Sequence, residues 1–261
     1  MPVVTSYKQG TPCFVDLATK DEAGAVAFYG ALFGWTDESM PMGPDQYYHM
    51  FSLRGSTVAG MYKLGAEMGD HPPYWATYIA VNNADEAGRR AADAGGKLQG
   101  EAVDVFDAGR MQLLQDPQGA FVALWQAKDH IGSQIANEPG SLAWHELVTT
   151  DSGAAADFYS KTLEVETARM PMPGMEYTLI KVDGREVAGI MDILPDMGPM
   201  PPHWGVYFAV DNTDAMAAKA ESLGGKIMVP PQDIPDIGRF AVIQDPQGAV
   251  FNIIKVNNPP Q

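Results

Sequence analysis

Residues 107–125 read DAGRMQLLQDPQGAFVALW, and residues 236–254 read DIGRFAVIQDPQGAVFNII. Nine of the nineteen aligned positions are identical, at a constant offset of 129. The same offset aligns Tyr74-Trp75-Ala76-Thr77-Tyr78 with His203-Trp204-Gly205-Val206-Tyr207, Val58-Ala59-Gly60 with Val187-Ala188-Gly189, and Tyr48 with Tyr177. Further upstream it becomes 130, where Phe28-Tyr29 meets Phe158-Tyr159 and Asp16 meets Glu146. One residue has therefore been gained or lost near Met40-Pro41-Met42-Gly43-Pro44, a stretch with loop chemistry. A period of this length is too long for a solenoid unit and matches a domain. The reading is two homologous domains, residues 1–132 and 138–261, joined near Asn137-Glu138-Pro139-Gly140.

Within one repeat, residues 12–18 read as a strand. Asp21 is placed to cap a helix carrying Ala25, Phe28, Tyr29 and Leu32 on one face, and Gly34 closes it. Strands follow over 46–53 and 57–62, then a Pro/Gly/Met-rich loop over 63–73 and a strand over 75–81. A helix over 85–94 ends at Gly95-Gly96. Strands over 97–105, 110–115 and 120–126 complete the repeat. The last two are joined by Asp116-Pro117-Gln118-Gly119, which has type I turn chemistry. The order is β-α-β-β followed by β-α-β-β-β, and it recurs in the second half. Antiparallel runs with isolated helices indicate an α+β fold whose curved sheets leave a concave face.

Composition narrows the function classes. The 261 residues carry a formal net charge of −16, a field that repels nucleic acid and anionic membrane. No apolar run approaches the ~18 residues of a membrane span, and no secretory signal is evident, so a cytoplasmic protein is expected. Cys13 is the only cysteine, which rules out intrachain disulfides and a cysteine-based metal centre. Phosphate-binding glycine loops and the nucleophile elbow are absent.

Phe28-Tyr29-x-x-Leu32-Phe33-Gly34-Trp35, the paired glycines and the two Gly-Arg…Asp-Pro-Gln-Gly blocks resemble the vicinal oxygen chelate superfamily. That superfamily includes glyoxalase I, bleomycin-resistance proteins, extradiol dioxygenases and fosfomycin-resistance enzymes. The resemblance implies tandem glyoxalase-like domains, each of two βαβββ modules around a cup, and a monomer that is internally pseudo-dimeric. It also implies a divalent metal held by three positions per cup. Carried over residue by residue, these are Phe14, Ala76 and Ala123 in the first half and Trp144, Gly205 and Asn252 in the second. Only Asn252 offers an oxygen, so no cofactor is expected, and glyoxalase or dioxygenase chemistry loses its Lewis acid. A displaced site around Glu146, His145 and His203 is the remaining route to a metal. His145 and Glu146 are adjacent, however, and face opposite ways on a strand.

Asp16 and Glu146 share a strand face with Phe14 and Trp144. A carboxylate there is either a general acid or base with a raised pKa, or the partner of Arg110 and Arg239 in a structural ion pair. Trp75, Trp204, Tyr48 and Tyr177 are read as aromatics at the cup mouth or, alternatively, as core. The methionines at 40, 42, 170, 172, 175, 197 and 200 are read as adaptable loop residues over an apolar ligand or over the strands. The expected function is binding of a small organic molecule. A glyoxalase-type lyase or isomerase, or an oxygenase (hydroxylase), acting through Glu146, Asp16, His145 and His203 is the alternative. A non-catalytic duplicated scaffold is the third reading.

Overall fold

A computed structural model describes residues 3–257 apart from 45, 66–68 and 173. The outermost ends of the two expected domains and part of the 63–73 loop therefore lie outside the described residues. In the first half, β1 (Pro12–Thr19) is followed by α1 (Glu22–Phe33), β2 (Thr36–Gly43), β3 (Gln46–Leu53) and β4 (Ser56–Lys63). The second module holds β5 (Tyr74–Ala80), α2 (Ala84–Asp93), β6 (Lys97–Leu98), β7 (Val103–Val105), β8 (Gly109–Gln115) and β9 (Phe121–Ala127). The other half repeats this order. Its first module is β10 (Leu142–Thr149), α3 (Ser152–Leu163), β11 (Glu166–Met172), β12 (Met175–Val182) and β13 (Arg185–Asp192). Its second is β14 (His203–Ala209), α4 (Thr213–Ser222), β15 (Lys226–Ile234), β16 (Gly238–Gln244) and β17 (Val250–Val256).

The local signals act as the residues suggest. The Asp21 carboxylate accepts from the Gly24 amide, and Gly34 closes α1 at φ 77°. Glu164 takes the equivalent left-handed position at φ 58° without glycine's freedom. Two elements differ from the sequence reading. Met40-Pro41-Met42 and its copy lie on strands β2 and β11, not in loops. Both are edge strands, where a proline is tolerated because one side of the ladder needs no donor. The expected strand over 97–105 is broken into β6 and β7, whereas its copy β15 runs unbroken.

Each half forms one mixed sheet. The first has the order β2-β3-β4-β1-β5-β9-β8-β6, with β7 also on β8, and the second β11-β12-β13-β10-β14-β17-β16-β15. Both cups are thus closed within a half, by antiparallel pairing of β1 with β5 and of β10 with β14.

The main cores do not respect the repeat boundary. One joins Phe28, Tyr29 and Phe33 of α1 to Phe208, Ala241 and Phe251 of the second half. The other joins Ala87, Leu114 and Leu124 of the first half to Phe158, Tyr159 and Ile180 of the second. The helices are packed between the convex faces of the two sheets. Two smaller clusters fall on the opposite, concave faces: one around Phe14 and Trp125, the other around Trp144, Tyr177 and Met191. No helix among the described residues is long and apolar enough to cross a membrane.

Candidate functional site

Strand alternation sorts the candidate residues. On β1, Val15 and Leu17 enter the shared core, while Phe14 and Asp16 face the cup. Asp16 lies beside Gly60 of β4 and Ala76 of β5. Its carboxylate accepts two phenol hydrogen bonds: Tyr48 donates to Oδ1 at 2.6 Å and Tyr78 to Oδ2 at 2.7 Å. The second cup repeats the arrangement. Tyr177 donates to Oε1 and Tyr207 to Oε2 of Glu146, each at 2.7 Å. Trp144 Nε1 donates in turn to the Tyr177 hydroxyl at 2.9 Å.

The shared Val-Ala-Gly blocks now have a reason. A Cβ at Gly60 would collide with the Tyr48 hydroxyl and Asp16 Oδ1, and one at Gly189 with the Tyr177 hydroxyl. Only glycine lets these phenols reach the acid.

Burial sets the electrostatics. Asp16 is 4% exposed, and its carboxyl is pushed up to about 6, the two tyrosine hydrogen bonds opposing that rise. Burial also raises Glu146, against the opposing effects of Tyr177, Tyr207 and the charge of His203. Tyr48, Tyr78, Tyr177 and Tyr207 are all held protonated, first by burial and then by the neighbouring carboxylate. Each cup therefore contains a carboxyl whose pKa is raised by burial, flanked by two phenol donors.

The halves differ around this common centre. In the first, the hydroxyls of Tyr62 and Tyr74 lie 3.1 Å apart, and the His130 ring stands edge-on to Phe14 at 4.6 Å. The corresponding positions to Tyr62 and Tyr74 in the second half are Met191 and His203, and the cup is lined by Met170, Met172, Met175 and Met200.

Several expectations are corrected by strand facing. Arg110 does not meet Asp16. On β8 it points to the helix side, where it grips Asp85 at 2.7 and 2.8 Å and Asp104 at 3.2 Å. Arg239 holds Asp214 and Asp233 in the same way. Trp75 and Trp204 alternate with the cup-facing residues of β5 and β14, so they sit in the shared core instead of at a cup mouth. Their indoles donate to the hydroxyls of Tyr29 and Tyr159.

His145 is on the face of β10 opposite Glu146. It is buried against Thr77 of the other half, with Nδ1 and Oγ1 3.2 Å apart, and burial lowers its pKa to about 3. His203 is exposed, with Nδ1 3.0 Å from the Pro201 carbonyl oxygen. Asn252 is on the cup face, but its Nδ2 donates to the Val206 carbonyl at 3.1 Å.

Sequence reasoning missed Tyr78, Tyr207 and His130. The two tyrosines were marked by the repeat itself. His130 has no copy and gave no signal.

The donor set does not fit the metal that the resemblance implies. Phe14, Ala76 and Ala123 supply no donor, and neither do Trp144 and Gly205, which leaves Asn252 Oδ1 as the single oxygen at the six positions. Among the described residues no three His, Cys, Asp or Glu side chains converge as a metal centre. Two shallow, open surface depressions lie outside the cups, one between Arg90 and Lys161 and the other beside Lys8 and Glu164.

Comparison with known proteins places this geometry. The family model described as Glyoxalase/Bleomycin resistance protein/Dioxygenase superfamily matches residues 13–124 and 141–253. The candidate glyoxylase CFP32 of Mycobacterium tuberculosis is 44% identical over 98% of both chains. The anthracycline biosynthesis protein DnrV of Streptomyces peucetius is 34% identical, covering 97% of this chain and 96% of its own. Among solved structures, the Mn(II)-bound glyoxalase of Novosphingobium aromaticivorans superposes with a TM-score of 0.67 at 16% identity, over 97% of this chain and 84% of that one. The 2,3-dioxygenase LapB of Pseudomonas sp. KL28 does so with 0.67 at 12%, over 98% and 96%. At such identities these two structures show the fold alone.

Proposed function

The chain belongs to the glyoxalase/bleomycin resistance protein/dioxygenase superfamily, and on that premise we propose that its two cups bind small organic molecules through a carboxylate–tyrosine centre in place of the usual metal triad. One observation carries this reading. Both halves keep an acid, two phenol donors and the glycine that makes room for them, while the six metal positions keep no usable donor set. A half-open apolar floor with a few convergent polar groups is the common form of a small-molecule site. The relative named for anthracycline biosynthesis supports a place beside small-molecule metabolism. The working units are residues 1–132 and 138–261, one cup in each.

Equilibrium dialysis followed by metal analysis tests the proposal. The expected result is no tightly held Ni, Zn, Fe or Mn, and one such ion per cup overturns it. A parallel screen of aromatic and aliphatic probes by tryptophan fluorescence should find saturable quenching of Trp144. If no probe saturates either cup, the scaffold reading takes its place.

A lyase or isomerase reading rests on Glu146, a half-buried carboxyl with a raised pKa on the cup face. Such a group is suited to moving a proton next to a carbonyl. His145 takes no part, since it lies behind the sheet. Turnover of 2-oxoaldehydes and their thiol adducts that falls on Glu146→Gln would support this reading, and turnover unchanged by that substitution would end it.

A further inference from the structure

This inference rests on the cup-binding proposal and narrows its ligand. The hydrogen-bonding capacity of the two floors can be counted. Tyr48 and Tyr78 spend their hydroxyl protons on Asp16, and Tyr177 and Tyr207 spend theirs on Glu146. Trp144 spends its only N–H on Tyr177. What remains facing each cup is a set of acceptor lone pairs: the carboxylate oxygens and the phenol oxygens. Two donors are left over in the first cup: one hydroxyl proton of the Tyr62–Tyr74 pair at the rim, and the ring of His130, whose Nε2 is buried without a hydrogen-bond partner. A ligand group that reaches the oxygens of Asp16 or Glu146 must still bring its own donor.

Charge points the same way. Among the described residues no lysine or arginine pairs with Asp16 or Glu146; the only cationic influence on either is His203 near Glu146. All the arginines and lysines with carboxylate partners hold other acids, such as Asp85, Asp104 and Asp214. A carboxylate in an apolar cup without a counterion is an incomplete pair. The partly exposed rings beside it, Tyr78 in one cup and Trp144 in the other, are aromatic neighbours of the kind that favour a cation.

We infer that the cups take an organic cation, a protonated amine on an apolar body, whose ammonium hydrogens are accepted by Glu146 or Asp16 and the tyrosine oxygens. In the second cup the apolar body would lie against the methionines at 170, 172 and 200, whose thioethers adapt to its shape.

Three probes of one shape separate this from the parent proposal: 2-naphthylmethylammonium, 2-naphthalenemethanol and 2-naphthoate. They are titrated into the full chain by calorimetry at neutral pH in low and in 0.3 M salt. The ammonium should bind at least ten-fold more tightly than the alcohol, about 1.4 kcal/mol, and the carboxylate more weakly than both. That order should survive the higher salt, which screens a merely surface attraction to the acidic protein. Glu146→Gln and Asp16→Asn should erase the preference for the ammonium while the alcohol still binds. Equal affinity for the three probes leaves cup binding standing and overturns the cation. So does a preference that disappears in salt, or tighter binding of the carboxylate. Binding of none of them overturns both proposals. The unmodified protein gives the decisive comparison even if one variant does not fold.

Discussion

Tyr29, on the first helix, donates its hydroxyl to Oδ2 of Asp245 in the second half's Asp-Pro-Gln-Gly turn at 2.8 Å. The pseudo-symmetric bond runs from Tyr159 to Asp116 at 3.0 Å. The other oxygen of each aspartate accepts the backbone amides of its own turn, three on each. The repeat's most recognisable motif is therefore a clasp between the halves, remote from the cups.

Replacing Tyr29 by Phe strands Asp245 Oδ2 and the Trp75 indole N–H in a buried place. A loss of about 2–3 kcal/mol is expected, measured by urea unfolding. The double variant with Tyr159→Phe should lose close to the sum, because the two clasps belong to separate core clusters. A loss below about 0.5 kcal/mol would mean the clasp is not formed.

Neither half owns a complete core. Residues 1–137 expressed alone should give no folded monomer, because α1 would expose Phe28, Tyr29 and Phe33 to water. Size exclusion and circular dichroism check this. A compact, cooperatively melting monomer would contradict the shared packing.

Gly60→Ala and Gly189→Ala each drive a methyl group into the tyrosine–carboxylate centre. Overpacking of this kind costs roughly 1–3 kcal/mol and displaces Tyr48 or Tyr177 from its acid. Thermal denaturation reads the first effect, and loss of probe binding reads the second.

Acid should act on His145 and Asp16, both buried, in opposite senses. His145 has a folded pKa of about 3, below its unfolded value. Its neutral burial therefore favours the fold fully above pH ~6.5, and that contribution is lost as pH falls toward 3. Asp16 has a folded pKa of about 6, above its unfolded value. Its penalty is present above pH 6 and is relieved as pH falls toward 4. Replacing His145 by Val, the residue at the matching position 15, should flatten the acid limb. Asp16→Asn should remove the opposite slope. Urea midpoints from pH 4 to 8 decide, and parallel curves for all three proteins would refute the assignment.

Arg110→Ala removes a clamp whose partners Asp85 and Asp104 are largely exposed. Solvent screening makes the cost to stability small, so the thermal midpoint should barely move, with probe affinity unchanged. Weakened binding would return Arg110 to the cup.

Much of this was legible in the chain. The caps of α1, the turn chemistry and the duplicated order of elements follow from local rules, because a cap or a tight turn is decided by a few neighbouring residues. The edge strands β2 and β11 were hidden by Pro and Gly, which signal loops unless the strand's position at a sheet edge is known. The acid–tyrosine centres were half visible. Asp16, Glu146, Tyr48 and Tyr177 stood out as repeated residues, while Tyr78 and Tyr207 repeat just as faithfully but inside an apolar strand block that reads as core. Arg110 and Trp75 were misplaced because repetition shows that a residue matters and leaves open which face of its strand it occupies.

The sequence by itself determined the duplication and the fold class, since these depend on residue identity and spacing. The tertiary structure alone decided what each repeated residue touches. Strand alternation sends Asp16 into the cup and Arg110 out of it, and packing of the convex faces turns two similar domains into one body with shared cores. That packing involves residues more than 200 positions apart, such as Tyr29 and Asp245. No local pattern encodes such a contact; it exists only once both sheets have formed and buried their apolar faces against each other.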